Sequence, residues 1–145
     1  MNKKGFTLVE LLATIAIIAI IATLAVPNII SMVSNGKTKS VISDAKEIIA
    51  QTKQYRVKNP TITEVKLKDL DIDLDHDGNK ETDIDAYGNT YDKDDSKVTI
   101  TTSISPSNGY KEYIYTITLK AGDHYLKYGN SNKIKEQDLE NATYE

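Results

Sequence analysis

A short basic leader followed by a long apolar segment opens this chain. Lys3 and Lys4 precede an apolar run over residues 6–26, and after Glu10 no charged residue occurs before Lys37. At a rise of about 1.5 Å per residue, a helix over this run would cross a hydrocarbon core about 30 Å thick. The lysines would hold the N-terminus in the cytoplasm, and the rest of the chain would face outward. An ordinary secretory signal peptide fits less well, because its apolar region is shorter and ends at a small-residue cleavage site.

Glu10 is the charged residue inside this apolar run. A carboxylate at the centre of a bilayer costs about 2.5–3.5 kcal/mol even on lenient insertion scales. Near the membrane edge the cost falls, so a snorkelling or protonated glutamate is one interpretation. The other interpretation is that Glu10 pairs with a positive group of another molecule, since two buried charges are tolerable when paired and costly when alone.

The residues Gly5-Phe6-Thr7-Leu8-Val9-Glu10, followed by the unbroken apolar segment, resemble the N-terminal signature of type IV pilins and pseudopilins. The resemblance implies cleavage after Gly5 by a prepilin peptidase and methylation of the new N-terminal Phe6. Glu10 would become the fifth mature residue, the glutamate that in this family neutralises the N-terminal amine of a neighbouring subunit. Further implied partners are a homo-oligomeric filament and an assembly ATPase with its membrane platform. The prepilin would reside in the cytoplasmic (inner) membrane as a single-pass protein and end in a cell-surface filament.

Composition divides the chain into five segments. The leader, residues 1–5, precedes a transmembrane or filament-core half-helix, residues 6–35, and an amphipathic half-helix, residues 36–60. An acidic loop region, residues 61–97, precedes an antiparallel sheet with a C-terminal segment, residues 98–145. In the amphipathic half-helix, apolar or small residues recur at spacings of three and four, as expected for one buried stripe; they are Val41, Ile42, Ala45, Ile48, Ile49, Thr52 and Tyr55.

Pro27 and Asn59-Pro60 limit or disturb this helix. Pro27 removes its own N–H and crowds the carbonyl of Thr23, whose hydroxyl could help to satisfy the freed backbone. In one interpretation the bend at Pro27 has no role. In the other, which the resemblance implies, it marks where the helix melts when subunits pack into a filament. The residue before Pro60 disfavours the α region, so the helix should end there. The sequence predicts one long, bent helix from Phe6 to about Lys58, with a weak point at residues 34–36.

Alternating apolar and polar residues predict β-strands in the last third of the chain. The predicted strands cover residues 98–104, 113–119 and 124–128, and short turns between them imply an antiparallel meander. A short final helix is expected over residues 135–141. The predicted fold class is therefore α+β: a pilin-like fold in which a long bent N-terminal helix packs on a small antiparallel β-sheet.

An acidic D-x-D-x-D-G run predicts a cation site. Oxygens on alternate residues followed by a glycine turn can wrap a hard cation such as Ca²⁺. The twelfth position counted from Asp73 is Ile84, where an EF-hand has a glutamate, so the loop is not a full EF-hand. The alternative is a solvated acidic loop without metal. The candidate ligands are Asp73, Asp75, Asp77, Asn79, Glu81 and Asp83. The ligand that closes the loop would be Glu81, Asp83 or Asp85.

The segment Asp85-Ala86-Tyr87-Gly88-Asn89-Thr90-Tyr91 resembles the D-P-W-G-x-P-Y segment of the major pseudopilins of type II secretion. Alanine, tyrosine and threonine replace the usual Pro, Trp and second Pro, so the match is partial. The resemblance implies a turn at Gly88-Asn89 that feeds the sheet, with Tyr87 and Tyr91 packing.

Composition restricts the remaining functions. The chain has no cysteine, which excludes a disulfide framework, a thiolate metal site and a cysteine nucleophile. Its formal charge of −3 argues against specific nucleic-acid binding, and no phosphate-binding loop or other catalytic motif occurs, so an enzyme is not expected. Two alternatives to a pilus subunit stay open: a major pseudopilin of a type II secretion or competence system, and a monomeric, membrane-anchored, calcium-dependent binding module.

Overall fold

The computed structural model describes residues 5–145, so the predicted leader lies, apart from Gly5, outside the described residues. The chain divides into two compact units, with the boundary after Gly36. One helix, α1 (Leu8–Lys58), contributes residues to both units. The prediction of a single long helix that ends near Lys58 is confirmed, and the helix is continuous through Pro27 and through the expected weak point at residues 34–36.

The first unit exposes nearly all of its side chains. Among residues 5–36 only Ala25 is half-buried, and the large apolar side chains are all exposed. A window of this helix reaches a mean hydropathy of 2.6, so by length and composition alone it is suited to cross a membrane. This part of the chain has an apolar surface and no core of its own.

The second unit, residues 37–145, has a hydrophobic core between α1 and the sheets. The predicted stripe is buried at Val41, Ile42, Ala45, Ile48, Ile49 and Thr52. The buried Thr52 hydroxyl donates to the carbonyl of Ile48 at 2.8 Å, which satisfies its polar atom inside the core. After Lys58 both the backbone N–H and the side-chain amide of Asn59 donate to the Tyr55 carbonyl, at 3.1 and 3.0 Å, and Pro60 prevents a further turn.

Seven antiparallel strands form two small sheets in this unit. They are β1 (Glu64–Lys66), β2 (Lys97–Ile104), β3 (Lys111–Thr118), β4 (Lys120–Ala121), β5 (His124–Lys127), β6 (Ile134–Lys135) and β7 (Thr143–Tyr144). The larger sheet has the order β1-β2-β3-β6 and the smaller one the order β4-β5-β7. The centre of the larger sheet is the β2–β3 hairpin, in which buried Val98 and Ile100 lie opposite Ile117 and Tyr115.

The predicted pairing of the third strand, as the next member of an antiparallel meander, was wrong. The strand at β5 exists, but it pairs with β4 and β7 rather than with β3. Thr118, the last residue of β3, pairs with Lys97, the first residue of β2. β3 therefore ends at Thr118. Lys120 N–H instead donates to the Ser96 hydroxyl at 3.1 Å, and the chain turns at Gly122 into β5. The edge of β3 is filled by β6, whose buried Ile134 lies opposite Ile117.

Two shorter elements also differ from expectation. β1 lies inside the region that the sequence assigned to an acidic loop, and its three residues carry too little alternation to be recognised. The expected final helix is a 3₁₀ helix, Glu136–Asn141, which begins without a side-chain cap. It is tied to α1 by the exposed ion pairs Lys46–Glu140 and Lys53–Glu136.

Candidate functional site

The beginning of α1 is closed by a capping box between Thr7 and Glu10. The Glu10 carboxylate accepts from the backbone N–H of Thr7 at 2.9 Å and from its hydroxyl at 2.8 Å. In return, the Glu10 N–H donates to the Thr7 hydroxyl oxygen at 3.3 Å. Such a box satisfies donors that every helix N-terminus leaves free. Glu10 therefore has hydrogen-bond partners within its own chain.

Gly5 and Phe6 lie in the non-helical segment before this box. The Phe6 side chain is 87% exposed, and a Cβ at Gly5 would meet nothing within 4 Å. The Gly5–Phe6 peptide bond is therefore accessible and free of helical hydrogen bonding. These properties suit a bond that a peptidase must bind in an extended conformation.

Pro27 lies within α1, where polar side chains donate to nearby carbonyls. The Thr23 hydroxyl donates to the Ile20 carbonyl at 2.7 Å. It therefore does not satisfy the backbone group freed by Pro27, as the sequence suggested it could. The Asn28 side chain donates to the Leu24 carbonyl at 3.1 Å, and the Ser31 hydroxyl donates to the Pro27 carbonyl at 3.1 Å. Proline and three side-chain bonds to the backbone thus occur within three turns of the apolar helix.

Three of the candidate metal ligands converge in the acidic loop. One carboxylate oxygen from each of Asp73, Asp75 and Asp83 lies within 4.8 Å of the others. A backbone N–H also donates to a carboxylate oxygen of each: Gly78 to Asp73 at 3.0 Å, Ile84 to Asp75 at 2.9 Å, and Leu74 to Asp83 at 2.5 Å. The Ile84 N–H is the main reason why the pKa of Asp75 is lowered. Gly78, at φ +88°, supplies the left-handed turn that the loop requires.

The other candidate ligands lie outside this cluster. The Asp77 carboxylate accepts from the Asn79 N–H at 2.6 Å, and the Asn79 amide oxygen accepts from the Glu81 N–H at 3.1 Å. All three residues are exposed. The side chains of Asp77 and Asn79 bond the backbone of the turn, and neither Asp77 nor Glu81 belongs to the group of converging carboxylates.

Lys93 is the residue at this cluster that sequence reasoning missed. Its Nζ lies 2.7 Å from Asp83 Oδ2 and also contacts the Lys80 carbonyl oxygen. The Asp83 side chain is 0% exposed. The contact with Lys93 is an ion pair without hydrogen-bond geometry, so within residues 5–145 Asp83 Oδ2 and Asp73 Oδ1 are buried oxygens that accept no hydrogen bond. No motif marks Lys93, because only the tertiary fold brings it to the loop.

Asp85 organises a turn and does not join the aspartate cluster. Its carboxylate accepts from the N–H groups of Tyr87 and Asn89, both at 2.8 Å, from the Asn89 side chain at 3.1 Å and from the Tyr144 hydroxyl. Burial raises the pKa of Asp85, but these hydrogen bonds outweigh it and the net pKa is lowered. The expected turn is present, with Gly88 at φ +92°. Tyr91 is buried, and the Tyr87 ring lies 5.2 Å from that of Tyr144.

Comparison with known proteins concerns the N-terminal segment. Residues 1–26 match the family model for the prokaryotic N-terminal methylation motif. This chain carries the type IV pilin/pseudopilin signature. The match confirms the resemblance seen in the sequence and indicates a type IV pilin-like prepilin or pseudopilin. No curated protein and no solved structure matches the chain.

The pilin signature contains Gly5, Phe6 and Glu10 and ends just before Pro27. The accessible Gly5–Phe6 bond, the capping box and the apolar surface up to Val26 therefore belong to the matched segment. The aspartate cluster lies outside it, so the match carries no statement about a metal. Pilin-type proteins are structural and not enzymatic.

Proposed function

We propose that this protein is a structural subunit, a prepilin that is cut at Gly5–Phe6 and polymerises into a type IV pilus or a related pseudopilus. The observation that carries the proposal is the match of residues 1–26 to the methylation motif. The long helix packed on a small antiparallel sheet agrees with it, because this is the fold that the resemblance implied.

The apolar half-helix supports assembly. Isolated soluble proteins rarely expose apolar patches above a few hundred Å². Here the exposed apolar side chains continue along α1 from Leu8 to Val33 without interruption by a second charge. Such a surface needs lipid before assembly and other subunits afterwards. In both surroundings a helix satisfies its own backbone hydrogen bonds, which irregular structure could not do.

Glu10 supplies a specific contact between subunits in this proposal. In the single chain its carboxylate is held by Thr7 at the helix N-terminus. Cleavage creates a positive amine at Phe6, and the amine of a neighbouring subunit would pair with this carboxylate as both leave the bilayer. Pairing compensates two charges that would each be costly alone in an apolar surrounding.

The proposal implies a set of partners and two locations. A prepilin peptidase cuts and methylates the chain in the cytoplasmic membrane, and an assembly ATPase with its membrane platform extrudes the subunits. The finished filament lies at the cell surface, with the acidic β domain outside. The partial resemblance of residues 85–91 to the segment of the major pseudopilins favours a pseudopilin-like β region, and it keeps a secretion or competence pseudopilus as the second candidate.

The substitution Glu10→Ala tests the assembly step. The variant should be processed normally, because the Gly5–Phe6 bond is unchanged, whereas the yield of sheared filaments should fall by at least about tenfold, since the amine would be buried unpaired. Thr14→Ala is the matched control, because Thr14 is another exposed polar residue of the same helix segment and its loss should leave the yield unchanged. A normal filament yield from Glu10→Ala would reject the role of this residue.

A further inference from the structure

We propose that Tyr87 and its neighbours form a surface that lies against phospholipid headgroups while the subunit is anchored in the bilayer. This surface, the interfacial patch, consists of Lys37, Thr38, Tyr87 and Tyr144, all in the second unit. The inference rests on the proposed function in one respect, because it requires the apolar half-helix to cross a membrane before assembly. It assigns a partner to a face of the second unit that the assembly proposal leaves without one.

The chain places the interfacial patch close to the end of the apolar segment. Val33 is the last large apolar residue of that segment, and Lys37 is the first charged residue after Glu10. At a rise of about 1.5 Å per residue, Lys37 and Thr38 follow Val33 by about 6–8 Å along α1. A bilayer of about 40–45 Å with a hydrocarbon core of about 30 Å has a headgroup region of about 5–8 Å on each side. Both residues therefore lie at headgroup depth when Val33 lies at the edge of the hydrocarbon.

Tyr87 is held at this level by side chains of α1. Its hydroxyl lies 3.0 Å from the Thr38 hydroxyl, and the Lys37 ammonium lies over its ring, 5.1 Å from the ring centroid. On another side the ring packs against Tyr144, whose hydroxyl donates to the buried Asp85 carboxylate. Tyr87 is thus fixed by several contacts and is still 37% exposed. The exposed part of the ring is available to a partner at the depth of Lys37 and Thr38.

A partly exposed tyrosine beside lysines has the chemistry of a membrane interface. Tyrosine is enriched at headgroup level because its ring is apolar and its hydroxyl forms hydrogen bonds with water and headgroups. A lysine extends its stem along apolar surface and leaves its ammonium in the polar layer, where lipid phosphates carry negative charge. Lys37 and the exposed Lys39 place two such ammonium groups in the turn of α1 that follows the apolar segment. Phospholipid headgroups therefore complement both the ring and the charges.

Tyr113 offers a matched comparison at the other end of the same helix. It is 40% exposed, and the Arg56 guanidinium of α1 lies over its ring, 3.7 Å from the ring centroid. Its exposure and its contact with a cation of α1 therefore resemble those of Tyr87. Arg56 follows Thr38 by about 27 Å along α1, so Tyr113 lies far beyond the headgroup layer when Thr38 lies within it. The two tyrosines differ mainly in their distance from the apolar segment.

The test uses the absence of tryptophan from the chain, which lets a single introduced indole report its surroundings. Full-length Tyr87→Trp and Tyr113→Trp are reconstituted in vesicles of equal parts phosphatidylcholine and phosphatidylglycerol, with and without a spin-labelled headgroup that quenches tryptophan on contact. Headgroup quenching of Tyr87→Trp should be at least about threefold stronger than that of Tyr113→Trp, since only the first indole lies at headgroup depth. Ile29→Trp, within the exposed apolar segment, reports insertion through quenching by lipids that carry the label in the acyl chain.

The outcomes separate this proposal from the proposed function. Equal headgroup quenching of Tyr87→Trp and Tyr113→Trp, with Ile29→Trp quenched by chain-labelled lipid, overturns the interfacial patch and leaves the proposed function intact. If Ile29→Trp is not quenched, both fail, because the half-helix then does not enter the membrane. If Tyr87→Trp does not fold, hydroxyl-radical labelling of the wild type in the same vesicles replaces it. Tyr87 should then be labelled at least about threefold less than Tyr113, whose exposure in the structure is similar, and equal labelling overturns the proposal.

Discussion

At the scale of single residues, Asp44 shows how a carboxylate can be held at an energetic cost. It is half-buried on α1, and the buried Tyr91 hydroxyl donates to its Oδ2 at 2.7 Å. Burial raises the pKa of Asp44, the Tyr91 hydrogen bond opposes this, and the negative charges of Glu47 and Asp85 raise it further. The folded chain therefore takes up a proton here more readily than the unfolded chain does.

The sign of this pKa shift predicts that Asp44→Asn stabilises the protein at neutral pH. A raised pKa in the folded state means that stability falls as the pH rises through the interval between the unfolded and folded pKa values. Asparagine has no such titration and keeps a carbonyl acceptor for Tyr91. We expect a gain of up to about 1 kcal/mol at pH 7, reduced by solvent screening because Asp44 is only partly buried, and a smaller gain near pH 4.

Thermal unfolding at the two pH values checks this expectation. Asp123→Asn, at an exposed position in the turn before β5, is the control and should change stability little at either pH. A loss of stability at pH 7 in Asp44→Asn would show that the charge itself is required by Tyr91 or its neighbours.

Residue-scale prediction from the sequence was limited by the range of the contacts. The cluster of Asp73, Asp75 and Asp83 was recognisable, because all three belong to one short loop with a glycine turn. Lys93 and the contact between Asp44 and Tyr91 were not recognisable, because each depends on how distant segments pack. The exposed turn residues Asp77, Asn79 and Glu81 share the same spacing pattern, and only the backbone path separates them from the three that converge.

At the scale of elements, the amphipathic half of α1 holds the second unit together. Ile48 and Ile49 are both 1% exposed and belong to the core formed with the larger sheet. Val57, near the end of the same helix, is 75% exposed. The same helix thus offers a buried and an exposed β-branched residue for comparison.

Ile49→Ala should destabilise the protein by about 2–5 kcal/mol, because it removes buried methyl groups and leaves a cavity. Val57→Ala should change stability by no more than about 0.5 kcal/mol, since its side chain already lies in solvent. Thermal or denaturant unfolding of the two variants in the same detergent measures the difference. Equal effects of the two substitutions would contradict the assignment of the buried stripe.

The helix and the β2–β3 hairpin were predictable because their hydrophobic periodicity is long and local. A window of about 11–18 residues with apolar positions at spacings of three and four, or about 4–8 alternating residues, suffices to identify an element. β1, β4, β6 and β7 were not predictable, because strands of two or three residues carry little pattern. β5 was predicted as a strand but with the wrong partner, because strand partners are set by the fold. The proposed meander failed for the same reason: no local pattern marks that β3 ends at Thr118, opposite the first residue of β2, and that β6 fills the edge of β3.

At the scale of the whole molecule, the chain combines two surfaces of opposite character. The first unit is an exposed apolar helix with a capping box at its beginning, and the second unit has a core, acidic loops and ion pairs on its surface. A filament with apolar half-helices inside and acidic domains outside accommodates both surfaces. A monomeric anchor would keep the apolar helix in lipid permanently and would leave the Gly5–Phe6 bond intact.

The mass of the N-terminal peptide in material sheared from the surface of expressing cells tests the central claim most directly. The account predicts a chain that begins at methylated Phe6 and is present in the sheared fraction. A chain that still begins at Met1 and stays with the membrane would contradict it. That result would favour a membrane-anchored binding module, whose function would then be sought at the aspartate cluster.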